Sequence, residues 1–162
     1  MKLFKLPALC FLMLIALPFI ACENEIENNE VGSTQTLNAQ KEVPMNSSTA
    51  TGTIAYSYRK DIRVLSYTVT WDALTGPLAL MHIHGTADPG FNAGVLQNII
   101  TPTNGIAAPS ATRFPAKGSI TASLFIDGQI FKEELLLAGK YYVNIHTAMY
   151  PGGEIRAQIL FP

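Results

Sequence analysis

The chain has 162 residues, a length that suits one domain able to bury its own core, and only 14% of them are charged. Its 11 basic and 12 acidic residues give a net charge of −1, and two of the bases, Lys2 and Lys5, fall in what reads as a removable leader. This balance excludes a basic footprint for nucleic acid. No Gly-x-Ser-x-Gly elbow or phosphate loop is present, so serine-hydrolase and nucleotide chemistry have no support.

Residues 1–21 read as a signal peptide. Lys2 and Lys5 form a positive start, and Ala8 to Leu17 is apolar but short of the roughly 20 residues that span a bilayer. Pro18 then breaks a helix. Phe19-Ile20-Ala21-Cys22 follows and resembles the lipobox of bacterial lipoproteins, with Phe19 where Leu is usual. The resemblance implies that Cys22 is acylated, becomes the first mature residue and anchors the chain to a membrane. Each buried CH₂ of an acyl chain contributes about 0.8 kcal/mol, and two chains anchor stably. Cys10 leaves with the leader, so Cys22 is the only mature cysteine and no internal disulfide forms. Residues 22–33 are expected to be a flexible tether, because Glu23 to Glu30 is acidic, Asn-rich and has little to bury. An acidic run beside the cysteine resembles the surface-export signal of Bacteroidetes-type lipoproteins. The expected location is therefore the cell envelope, on the outer membrane and facing outward.

From residue 34 to residue 162 the pattern is one domain of short strands with turn punctuation. Strands are expected at Thr34–Gln40, Thr51–Arg59 and Ile62–Asp72. In the last of these, Leu65, Tyr67, Val69 and Trp71 alternate with Ser66, Thr68 and Thr70, the period-two signature of a half-buried antiparallel strand. Lys60-Asp61 reads as a hairpin turn. After Gly76-Pro77, strands are expected at Leu78–Gly85, Val95–Ile100 and Gly118–Ile126, with loops at Asp88–Gly94 and Thr101–Pro115. Phe131–Ala138 reads as a short helical turn closed by Gly139. Lys140–Thr147 and Glu154–Phe161 are the last strands, joined through Pro151-Gly152-Gly153. The fold class is all-β, an antiparallel Greek-key sandwich or barrel.

Three segments carry a family resemblance. The first runs Leu37-Asn38-Ala39-Gln40-Lys41-Glu42-Val43-Pro44, then Ala50-Thr51-Gly52. The second is His82-Ile83-His84-Gly85, then Gly90 and Asn92-Ala93-Gly94. The third is Ala138 to Thr147, containing Tyr142, Asn144 and His146, then Pro151-Gly152-Gly153-Glu154-Ile155-Arg156. Together they resemble the CHRD domain, first named from chordin and widespread in bacterial secreted proteins. Met45 stands where that family often has a second Pro, and Ala157 where it often has Gly. The resemblance marks Glu42, Pro44, Asn144, Thr147 and Arg156 as structural motif positions. It implies a binding or structural module of the envelope rather than an enzyme, and it points to no catalytic residue.

All three histidines sit in those motifs. His82 and His84 share one face of a strand, and His146 shares a face of a later strand with Tyr142 and Asn144. Were the strands neighbours, the three rings would suit an ion such as Cu or Zn, with an open fourth position and Glu154 or Asp88 as a further or outer ligand. The pattern also resembles copper–zinc superoxide dismutase, where a His-x-His strand and a later histidine hold copper outside a β-sandwich. The fourth histidine, the zinc ligands and the paired cysteines of that family are missing here, so the implication is architecture and site type, not dismutase activity. The competing reading is a hydrogen-bonded patch of His82, His84 and His146 with Asn144, Thr147, Glu154 and Arg156. Glu42 and Arg156 are expected to form a structural ion pair. A third reading gives the loops Asp88–Gly94 and Thr101–Pro115 an envelope protein or a glycan as partner.

Overall fold

A computed structural model describes residues 29–100 and 114–162. The leader, Cys22, the run 23–28 and the loop residues 101–113 lie outside the described residues. Eight strands follow in order: β1 (Glu30–Asn38), β2 (Thr51–Arg59), β3 (Val64–Asp72), β4 (Leu80–Gly85), β5 (Val95–Ile100), β6 (Gly118–Phe125), β7 (Tyr141–His146) and β8 (Ile155–Gln158). They form one sheet in the order β5-β4-β7-β8-β1-β2-β3-β6. Every pairing is antiparallel. The sheet curls into a half-barrel, so the all-β antiparallel expectation holds, with a single curved sheet in place of two separate layers.

The strand bounds follow the alternation closely. β2 and β3 pair over their whole length, from Thr51↔Asp72 to Arg59↔Val64. The main difference is β1, which begins at Glu30, inside the stretch expected to be tether. Its register with β2 runs unbroken from Glu30↔Arg59 to Asn38↔Thr51. Val31 packs against the core and gives this end an apolar hold that the acidic composition concealed. A single turn of 3₁₀ helix (Ala39–Lys41) ends β1, its Lys41 N–H donating to Asn38 Oδ1 at 3.2 Å. The expected helical segment shrinks to one turn, α1 (Glu133–Leu137), which buries Leu136. Gly139, at φ 69°, closes it.

The inner face of the curl holds Leu37, Ile54, Leu65, Val69, Trp71, Met81, Ile83, Val143, Ile145 and Ile155 in one core. Trp71 donates its Nε1–H to Pro115 O at 2.9 Å, which satisfies the one polar atom of a large apolar side chain.

Candidate functional site

Strands β4, β7 and β8 differ from the rest because both of their faces are covered; β7 and β8 are buried at every position. Met81, Ile83, Val143, Ile145, Ile155 and Ala157 supply the inner face. Period two then sends His82, His84, Tyr142, Asn144, His146, Arg156 and Gln158 outward. Register brings them together: Leu80↔His146, His82↔Asn144 and His84↔Tyr142 between β4 and β7, then Tyr142↔Gln158 and Asn144↔Arg156 between β7 and β8. The histidines predicted from sequence to converge therefore do share one patch.

Two loops cover this polar face. Arg156 donates through Nη2 to Phe91 O at 2.8 Å and through Nη1 to Asn92 Oδ1 at 3.2 Å. Asn92 Nδ2 donates to Val43 O at 2.8 Å and ties the two loops together. Gln158 Nε2 donates to Ala87 O and Gly139 O at 2.8 and 2.7 Å. The Arg156 Cζ lies 3.3 Å from the Tyr142 ring centroid, and that ring stacks on His84 at 4.7 Å with an interplanar angle of 1°. Cation, phenol and imidazole thus form one column, with the cation–π attraction strengthened by exclusion of water. Burial lowers the Arg156 pKa, against the electrostatic pull of Tyr142 and Glu42.

Each imidazole has a distinct setting. His84 Nδ1 lies 3.0 Å from Ala93 O, and His146 Nδ1 lies 3.0 Å from Pro151 O. A backbone carbonyl only accepts, so each Nδ1 carries the proton and donates. The Nε2 atoms of both rings lie 2.9 Å from Asn144 Oδ1. His82 Nδ1 is enclosed without a hydrogen-bond partner. Burial, followed by the neighbouring His146 and His84, lowers the His82 pKa to about 4. Burial likewise lowers that of His146. One ring nitrogen from each histidine lies within 4.8 Å of the others. A metal–nitrogen bond of about 2.0–2.1 Å puts tetrahedral ligands roughly 3.4 Å apart, so an ion would draw the rings inward. Neutral rings with Nδ1–H fixed on carbonyls are the form that ligates through Nε2.

Glu42 reaches the same patch from the loop after the 3₁₀ turn. Its carboxyl sits so close to Gly153 that a Cβ there would meet Oε1 at 2.5 Å; Gly153 also holds φ 131°. The positive φ favours glycine, and a side chain there would also displace the Glu42 carboxyl. Burial pushes the Glu42 pKa up to about 7, against the pull of Arg156, the Val43 N–H and the Asn144 amide. Glu42 Oε1 has no hydrogen-bond partner. Glu42 and Arg156 do not form the expected ion pair: the three ion pairs among the described residues are Arg59–Asp61, Lys117–Asp72 and Lys140–Asp88. The guanidinium is held by loop carbonyls and Tyr142 instead. The Val43–Pro44 peptide bond is cis, and Pro44 lines a cavity of ≈ 490 Å³ with Glu42, Met45, Pro89, Gly90 and Arg156.

Glu154 lies outside the histidine group. Its carboxylate accepts from Ser48 Oγ (2.7 Å), Thr75 N (2.9 Å), Thr75 Oγ1 (3.0 Å) and Thr147 Oγ1 (2.6 Å). Four donors saturate it and make it a clamp between three loops. Asp88 pairs with Lys140 at the surface.

A curled antiparallel sheet with an apolar inner face and a loop-covered polar outer face defines a small all-β module with a polar cluster built across three strands. The family model of the CHRD domain matches residues 33–159, and the chain belongs to that family. No curated protein and no solved structure matches it significantly.

Sequence reasoning located the histidines, Asn144 and Arg156 but missed three features. The stacking of Tyr142 between Arg156 and His84 needs the β7–β8 register. The carbonyls of Ala93 and Pro151 carry no sequence signal, although both lie in Gly- and Pro-marked turns. The approach of Glu42 to Asn144 depends on a loop fold; Gly153, two residues after Pro151, was the available hint.

Proposed function

We propose that this CHRD domain is a lipid-anchored, non-enzymatic module of the cell envelope, and that its loop-covered outer face binds one Cu or Zn ion through His82, His84 and His146. The observation that carries the metal reading is the fixing of both Nδ1–H groups on the Ala93 and Pro151 carbonyls. Both Nε2 atoms then meet at Asn144 Oδ1, one ring nitrogen of each histidine lies within 4.8 Å of the others, and His82 Nδ1 is enclosed without a partner. Imidazole donors suit Cu and Zn, and the hydrogen bond on the far nitrogen is the usual outer support of a histidine ligand. Closing the site requires the rings to move inward and the ion to come between their Nε2 atoms and Asn144 Oδ1.

The test is metal content of tag-free protein after equilibration with Zn²⁺ or Cu²⁺. One ion per chain is expected, with a loss of affinity of at least about tenfold in His84→Ala. Substoichiometric metal, or equal affinity in the variant, removes the metal reading and leaves a structural patch. Anchoring through Cys22 rests on the lipobox resemblance and is tested by mass spectrometry of the mature N-terminus. Acylated Cys22 is expected; an unmodified terminus elsewhere contradicts it. Protease treatment of intact cells then tests outward display.

A further inference from the structure

Three polar atoms in the outer face are mismatched as they stand, and one amide lies between them. In the tautomer that the Ala93 and Pro151 carbonyls favour, with the proton on Nδ1, His84 Nε2 and His146 Nε2 each present a lone pair, yet both face the Asn144 oxygen at 2.9 Å. An oxygen facing two lone pairs is repulsive. On the other side, Glu42 Oε1 is enclosed with no donor. Turning the Asn144 amide by half a revolution corrects all three when Glu42 carries a proton. The two N–H groups of Nδ2 then donate to the two Nε2 atoms. The Oδ1 atom then accepts from the Glu42 O–H.

An ion at the histidines resolves the same mismatch differently. It takes the two Nε2 lone pairs, and the Asn144 Nδ2–H groups face a Glu42 carboxylate. We propose that Asn144 is a positioning residue with two settings, and that its turn couples metal occupancy of the histidines to loss of a proton from Glu42. This rests on the metal reading given above and adds the regulation of that site. The exchange balances: one metal ion enters, and the Glu42 carboxyl releases one proton to solvent.

The surroundings of Glu42 suit the role. Arg156 on β8 is the cation facing it, but its donors are engaged by Phe91 O, Asn92 Oδ1 and Gln158 Oε1. Lys41, its chain neighbour, bonds to Thr36 instead. Glu154, beyond Gly153, is saturated by Ser48, Thr75 and Thr147. Asn144 touches both His84 and His146 and also acts on Glu42. Burial then sets the carboxyl to titrate at about 7, inside the range an envelope protein meets.

The experiment measures Zn²⁺ affinity and proton release by calorimetry, in buffers of differing ionisation enthalpy, from pH 6 to pH 8. The full mature chain and Glu42→Gln are compared. Gln is a neutral isostere that donates to Asn144 Oδ1 as the protonated acid does. Protonation of Glu42 at pH 6 opposes binding, and its ionisation at pH 8 removes the opposition. The wild-type affinity is therefore expected to rise about tenfold more than that of the variant across this interval. Wild type also releases up to about one more proton per ion at pH 6 than the variant. Equal pH profiles in two proteins that both bind Zn²⁺ overturn the coupling and leave the metal site standing. Failure of the wild type to bind Zn²⁺ overturns both. Matched thermal melts at pH 5 establish that the variant is folded.

Discussion

The two halves of the sheet use the same pleat for different ends. In β2, β3 and β6 one face packs on the core and the other meets solvent, with small polar pairs such as Thr68–Thr121 on the outside. In β4, β7 and β8 the outer face is as buried as the inner one and carries three histidines, an arginine, an asparagine and a glutamine. Burying those groups costs free energy unless each is hydrogen-bonded. The segment from Ala87 to Ala93 supplies Ala87 O, Phe91 O, Asn92 Oδ1 and Ala93 O, and Gly139 and Pro151 add one carbonyl each. The lesson is that both halves build the core through their inner faces, and the doubly covered half also spends stability to hold polar side chains in fixed positions.

Substitutions break or sharpen that contrast. The largest effect is expected from Arg156→Ala, which leaves Phe91 O and Asn92 without their donor and empties the space above Tyr142. A loss of about 3 kcal/mol in denaturant unfolding is expected. Glu154→Gln comes next, because an amide presents an NH₂ to at least one of the four donors that now meet a carboxylate; about 2 kcal/mol is expected. Thr68→Ala, on the solvated half, changes stability by no more than about 0.5 kcal/mol. Equal costs in the two halves contradict the contrast.

Acid and base act on the polar half in opposite directions. Burial lowers the His82 pKa from the ordinary 6.5, which the unfolded chain keeps, to about 4 in the folded chain. The unfolded chain binds the proton first, so this stabilising contribution is present above pH 6.5 and is lost as pH falls towards 4. Glu42 is raised from 4.5 to about 7. The folded chain holds that proton longer, so its contribution is present below pH 4.5 and is lost as pH rises through 7. Relative to wild type, Glu42→Gln is therefore expected to gain melting temperature between pH 5 and pH 8. An unchanged difference shows that Glu42 does not titrate in this window.

Legibility in the sequence follows the same division. β2 and β3 were readable because period two is visible when one face is wet. The strand through His82 and His84 was placed within two residues at its start, and its histidines were correctly put on one face. What they touch was not legible, since register across β4, β7 and β8 decides that Tyr142 stacks on His84 while Asn144 reaches both His84 and His146. The Glu42–Arg156 pairing failed because opposite charge says nothing of loop geometry. The start of β1 was hidden by the acids that precede Val31.

The most direct test of the account is X-ray absorption spectroscopy of the tag-free chain loaded with one equivalent of Zn²⁺ or Cu²⁺. The account predicts about three imidazole nitrogens at about 2.0–2.1 Å, with the imidazole scattering signature reduced in His146→Ala. A shell of oxygen donors alone, or a spectrum unchanged by the substitution, contradicts it.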